Sequence, residues 1–123
     1  KPNLLEAEIL SGIRIRDEKG IRKAGAAFLD KGVQKVYITL GENGVYYADR
    51  SSDGFIRPGD VEIVSATGAG DAFSAAIIMG FIKNLSTEQT AKLGMAAAAF
   101  AMKSSTAVNK NICMEGIRCL ANI

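Results

Sequence analysis

Apolar residues recur at Ile21, Ala24, Phe28 and Leu29, the spacing of one helical face, and the pattern predicts a helix over Asp17–Lys31 closed by Gly32. Before it, Asn3 as N-cap, Glu6 at the capping-box position and Gly12 as a stop predict a short helix within Pro2–Gly12. The pattern then changes. Lys35–Leu40 is β-branched and aromatic and reads as a strand, Gly41–Gly44 as a turn, and Val45–Ala48 as the second strand of a hairpin. Asp49–Asp60 is polar and turn-rich, with a short strand expected at Phe55–Arg57. Val61–Val64 reads as a strand and Ala72–Ile82 as an apolar, small-residue helix. Ser86 and Gln89 form a second capping box, opening a helix over Thr87–Met102 whose alanine-rich centre implies close packing on the helix before it. Ser104–Asn109 is a polar loop, and Met114–Leu120 a last short helix with Ile117 and Leu120 inward. Helix followed by buried strand indicates α/β layering.

Composition narrows the chemistry more than the fold. The 123 residues suit one domain, 48% of them hydrophobic and 23% charged. A net charge of +2 calls for neither a nucleic-acid nor a membrane partner, and no apolar run is long enough to span a bilayer. Cys113 and Cys119 have neither zinc nor disulfide-framework spacing and read as reduced thiols of a cytoplasmic protein. Histidine is absent, which excludes a Ser-His-Asp triad.

The candidate chemistry lies at Ser65-Ala66-Thr67-Gly68-Ala69-Gly70-Asp71-Ala72-Phe73, a glycine turn between a strand and a helix. The first N–H groups of a helix have no internal partner, and the helix dipole adds partial positive charge there, so such a turn can hold an anion. Glycines at 68 and 70 let a ligand approach the backbone. Asp71 beside that turn suits a base that takes a proton from an attacking hydroxyl. The same residues also suit an ordinary turn, with Asp71 complementing the dipole. No Gly-Lys-Ser/Thr follows, so this is not a Walker A loop. The third glycine of the dinucleotide fingerprint is missing, which disfavours an NAD-binding domain.

Thr67-Gly68-Ala69-Gly70-Asp71-Ala72-Phe73 resembles the signature of the PfkB, or ribokinase-like, sugar and nucleoside kinases. The resemblance implies an anion hole made by Gly68, Ala69 and Gly70, Asp71 as catalytic base, and Thr67 among the nucleotide-binding residues. Three further stretches are similar. Asn3-x-x-Glu6 matches a motif that helps to place Mg2+, often through water, beside the nucleotide phosphates. Thr39-Leu40-Gly41-x-x-Gly44 matches a strand end and turn that contact those phosphates, which assigns Thr39, Gly41 and Gly44. The Ser104–Asn109 loop matches one beside the adenine, with Asn109 as the nucleotide contact and Met95 near the base.

The resemblance implies residues 1–123 as the ATP-binding C-terminal portion of a three-layer α/β/α ribokinase-like fold, the N-terminal substrate and lid portion being absent. The start at Lys1 without Met agrees with a fragment that is inactive alone. ATP and Mg2+ are the expected cofactors, a small sugar or nucleoside the expected substrate, and a homodimer through the missing lid the expected assembly. Many members carry Asp two residues before the signature Thr, in a monovalent-cation site. Here that position is Ser65, which leaves the cation open, and with Ala107–Asn111 it is similar to the pseudouridine kinase branch. A non-catalytic nucleotide-binding or structural module is the alternative.

Overall fold

Asn3 starts the first helix by closing both halves of a capping box. Its Oδ1 accepts from the Glu6 N–H (2.9 Å), and its own N–H donates to Glu6 Oε2 (2.8 Å). The resulting helix, α1 (Leu4–Ser11), ends at Gly12, whose positive φ of 71° needs no Cβ to be accommodated. Asp17 caps α2 (Glu18–Asp30) by accepting from the Gly20 N–H at 2.8 Å. The computed structural model describes residues 1–59, 67–103 and 113–122. They fall into two compact units, Lys1–Arg57 and Pro58–Ile123, each with its own packing.

In the first unit a three-stranded antiparallel sheet runs in the order β1 (Lys35–Thr39), β2 (Val45–Asp49), β3 (Asp53–Ile56). Val36 pairs with Ala48 and Ile38 with Tyr46, and these four join Ala7 of α1 and Ile21 and Ala24 of α2 in one core. Gly25 lets α2 approach the sheet: a Cβ there would lie 2.5 Å from the Tyr46 ring. Burial pushes the Tyr46 hydroxyl pKa up, with the Arg22 guanidinium opposing it. On the other face of the strands Tyr37, Val45 and Tyr47 are buried too. Residues on both faces of this small antiparallel sheet are therefore buried.

The hairpin expectation holds, with a 3-10 turn (Gly41–Asn43) as its connection. The third strand begins two residues earlier than expected and excludes Arg57. Asp53 and Gly54 pair with Ala48 and Tyr47, and Gly54 makes room for the Tyr47 ring, where a Cβ would stand 2.7 Å from its hydroxyl. Lys19 and Lys23 on α2 and Lys31 at its C-cap are exposed, as expected of a solvated face. Arg22 is exposed as well, but it ion-pairs with Asp53 and lies over the Phe55 ring at 5.1 Å.

The described residues of the second unit hold three helices: α3 (Ala69–Ile82), α4 (Thr87–Met102) and α5 (Met114–Ala121). The Ser86–Gln89 capping box opens α4 where it was expected. Two glycines bring α3 and α4 together. A Cβ on Gly80 would meet Thr90 Oγ1 at 2.5 Å, and one on Gly94 would meet the Phe73 ring at 2.7 Å. Ala76, Leu93, Ala96 and Ala97 fill the seam, and Ile117 and Ala121 of α5 close it. Leu120, expected inward, is 47% exposed; one turn after Ile117 the inward position falls on Ala121. The strand expected at Val61–Val64 and the loop Ser104–Asn109 lie outside the described residues.

Candidate active site

Gly68 is the N-cap of α3, held at φ 85°, a conformation that a side chain would strain. The first intrahelical bond runs from the Ala72 N–H to the Gly68 carbonyl at 2.9 Å. The N–H groups of Ala69, Gly70 and Asp71 therefore precede the hydrogen-bonded part of the helix, and Gly68 has no side chain with which to cap them. Asn3, Asp17, Ser86 and Cys113 do cap the other four helices through side-chain atoms. A Cβ on Gly70 would meet nothing within 4 Å, so the space beside the turn is open. Ser74 Oγ donates to the Gly70 carbonyl at 2.9 Å and fixes the first turn. Ser74 went unnoticed in the sequence, although a serine four residues after a turn glycine is a legible signal for such a bond.

Asp71 and Phe73 point to nearly opposite sides of the helix. Phe73 is buried against Gly94, and Asp71 is exposed, as is Thr67 before the turn. The turn thus combines three N–H groups that attract negative charge with one carboxylate that solvent can reach. Beside it, Ala72, Ala76 and Met79 of α3, Leu93 and Ala97 of α4 and Ile117 of α5 line an apolar cavity of about 200 Å³.

In the first unit the chain brings Asn3, Glu6 and Thr39 together. Asn3 and Thr39 form a parallel bridge, with the Thr39 N–H donating to the Pro2 carbonyl at 3.0 Å. The turn after Thr39 is closed by the Leu40 N–H on the Gly44 carbonyl (2.8 Å) and the Gly44 N–H on the Gly41 carbonyl (3.2 Å). Its two glycines differ. Gly44, at φ 95°, lies so close to β3 that a Cβ would stand 2.0 Å from the Ile56 carbonyl oxygen. Gly41, at φ 61°, has open space around its Cβ position. Close contact with β3 and a positive φ both require glycine at 44, whereas at 41 the positive φ alone favours it and the space beside it is open. Asn109 and Ser65 lie outside the described residues.

The model of the pfkB family carbohydrate kinases matches residues 1–112. The chain belongs to the pfkB carbohydrate kinase family. Among curated relatives of this pfkB chain, the ribokinase of Haemophilus influenzae is 36% identical over 101 residues, covering 82% of this chain and 33% of its own length. The pseudouridine kinase of Escherichia coli is 28% identical over 118 residues, 95% of this chain and 38% of that protein. A solved structure of a Clostridium perfringens protein assigned as a sugar kinase superposes with a TM-score of 0.93 at 30% identity, over 98% of this chain and 38% of that one. The ribokinase of Thermotoga maritima gives 0.80 at 28% identity, over 99% and 41%. The fold is ribokinase-like α/β, and the chain spans about a third of the length of the curated relatives it matches.

Proposed function

We propose that this chain is the ATP-binding, C-terminal portion of a kinase that moves the γ-phosphoryl of ATP to a primary hydroxyl of a sugar or nucleoside. The observation behind this reading is the first turn of α3, where three uncapped N–H groups adjoin one exposed carboxylate. Asp71 accepts the proton of the acceptor hydroxyl as its oxygen bonds to phosphorus, and the bond from phosphorus to the departing ADP oxygen breaks. The uncapped N–H groups of Ala69 and Gly70, with that of the N-cap Gly68, face the charge on the transferring phosphoryl, the electrostatic contribution on which such reactions chiefly depend. Thr67, and in the other unit Thr39 and Gly41, contact the nucleotide phosphates. Gly44 shapes the turn that presents them, and Asn109 contacts the nucleotide's base. The apolar cavity beside Ala72 offers a place for the adenine ring.

The acidic groups fit Mg2+ held mainly by the nucleotide. Among the described residues no three His, Cys, Asp or Glu side chains cluster as a metal cage. Glu6 Oε2 is engaged by the Asn3 N–H, which leaves Oε1 for a metal-bound water. Mg2+ retains waters and binds readily through one or two carboxylates and phosphates. When bound it neutralises phosphate charge, and Asn3 and Glu6 are the residues that would help to hold it. Dependence on a monovalent cation turns on the surroundings of Ser65.

We assign the acceptor to small sugars and nucleosides, a reading supported by relatives that include a ribokinase, a 1-phosphofructokinase and a pseudouridine kinase. The weak sequence pointers favour pseudouridine. No described helix is long and apolar enough to cross a membrane, and an ATP-dependent reaction suits the cytoplasm. We assign any homodimer contact to the family's lid. Because the chain spans about a third of its relatives' length, it is read as binding nucleotide without turnover when alone.

The test is ATP consumption by the enzyme completed with the rest of the kinase polypeptide, assayed with pseudouridine, ribose, adenosine and fructose. Phosphorylation of one acceptor supports the reading and names the substrate. Mg-ATP binding with no transfer to any acceptor supports a non-catalytic nucleotide-binding module instead.

A further inference from the structure

The first turn of α3 is the weakest part of that helix. Gly68 brings no side chain to cap it, and Gly70 is the second of its helical residues. Glycine inside a helix costs conformational entropy, and helix ends fray. An anion hole requires the opposite, because its donors stabilise developing charge best when they are fixed in advance. An ordinary cap cannot supply that stiffness here. A capping oxygen accepts from the N–H of the second or third helical residue, and these are Gly70 and Asp71, donors that an anion needs.

Ser74 reaches the same turn from its other end. Its Oγ donates to the Gly70 carbonyl at 2.9 Å and so ties the turn together through an acceptor. The N–H groups of the turn take no part in this bond. The Gly70 carbonyl and the Asp71 N–H belong to one planar peptide group, so the bond also fixes the plane of the donor next to the proposed base and polarises it in the sense that strengthens the N–H.

Nothing in the helix itself asks for serine at this place. Of the 14 residues of α3, Asp71 and Ser74 are the two with polar side chains, and at three apart they are neighbours on the helix surface. Alanine is the better helix former, and a serine that bonds back to the preceding turn slightly destabilises a helix. Burial does not force the bond either. Thr90 of α4 makes the same kind of bond to the Ser86 carbonyl at 2.8 Å, but Thr90 is 1% exposed, so its hydroxyl has no water to turn to. Ser74 is partly exposed, where water can serve its hydroxyl.

We propose that Ser74 is a positioning residue for phosphoryl transfer: its hydroxyl stiffens the glycine turn through the Gly70 carbonyl and holds the N–H groups of that turn in the direction the phosphoryl group requires, while leaving all of them free to donate. The inference rests on the kinase reading of this turn, and it adds a side chain that lies beyond the stretch Thr67–Phe73.

The test compares the completed enzyme with its Ser74→Ala, Ser74→Thr and Ser74→Val variants. Threonine keeps the hydroxyl, and valine has the shape of threonine without it. Ser74→Ala should lower kcat about tenfold and leave the KM for ATP within about twofold, a smaller loss than the roughly 10²–10³-fold that follows removal of a donor itself, because the hydroxyl acts through the turn. Ser74→Thr should bring kcat back to within about threefold of the unaltered enzyme, and Ser74→Val should not. The urea midpoint of Ser74→Ala should be equal or higher. Amide hydrogen exchange across residues 68–73, read by mass spectrometry, should quicken in the alanine and valine variants and not in the threonine variant. An unchanged kcat in Ser74→Ala overturns the proposal, as do threonine and valine variants of equal activity. A fall in kcat accompanied by a lower urea midpoint in Ser74→Ala overturns it as well, since the serine then only supports the fold. Full transfer by both the unaltered enzyme and Ser74→Ala leaves the kinase reading standing and removes Ser74 from it. An unaltered enzyme that transfers nothing contradicts the kinase reading. In that case faster exchange in Ser74→Ala leaves the stiffening of the turn standing, and unchanged exchange overturns that too.

Discussion

The glycines of the two candidate turns, one turn in each unit, do different things. Gly68 is set by its positive φ and Gly44 by the closeness of β3, so both are required by the fold. Gly70 has neither constraint: its φ is ordinary and its surroundings are empty. That contrast separates a ligand's demand from the backbone's. Gly68→Ala should cost about 1–2 kcal/mol of stability through left-handed strain, measured by urea unfolding. Gly70→Ala should leave stability equal or higher, because alanine is the better helix former by about 0.5–1 kcal/mol. It should nevertheless weaken Mg-ATP binding, measured by calorimetry, by about tenfold, or about 1.4 kcal/mol. Undiminished affinity in Gly70→Ala would mean that nothing approaches this turn. The signature residues were legible because a turn that opens a helix is a local structure. The different reasons for Gly41 and Gly44 were not, because the Ile56 carbonyl that forbids a side chain at 44 belongs to another strand.

At the scale of elements, α1 joins a structural device to a proposed metal role, and two substitutions separate them. Asn3→Ala removes the cap and should cost about 1 kcal/mol. Glu6→Gln keeps an oxygen able to accept from the Asn3 N–H, so the capping box survives and thermal stability should change by less than about 0.5 kcal/mol. If Glu6 helps to hold Mg2+, the same substitution weakens ATP binding in magnesium and leaves binding in its absence unchanged. An equal effect with and without the metal would remove Glu6 from that role. The α3–α4 seam makes a separate prediction. Gly94→Ala drives a methyl into the Phe73 ring and should lower stability by about 1–3 kcal/mol in chemical denaturation, a neutral result contradicting the packing described. Element ends were legible where local caps mark them, as at Ser86 and Gln89 for α4. The start of β3 was not, since the pairing of Asp53 and Gly54 is decided by the register of β2. Which side of α3 is buried was also hidden, because a helix apolar all round has no periodicity to read.

For the whole molecule, membership of the pfkB family and a ribokinase-like fold were legible because short motifs occur in the expected order along almost the entire chain. The pairing of Asn3 with Thr39 was not, because it joins residues distant in the sequence. The proposed kinase depends on Asp71 as a base beside an anion-binding turn, and one comparison tests this most directly. Phosphoryl transfer and Mg-ATP affinity are measured for the completed enzyme and for its Asp71→Asn variant. Asn preserves the shape of the side chain but accepts no proton at neutral pH, so affinity should stay nearly constant while turnover falls by about 10²–10⁴-fold. Turnover close to that of the unaltered enzyme would contradict the assignment of Asp71 as the base.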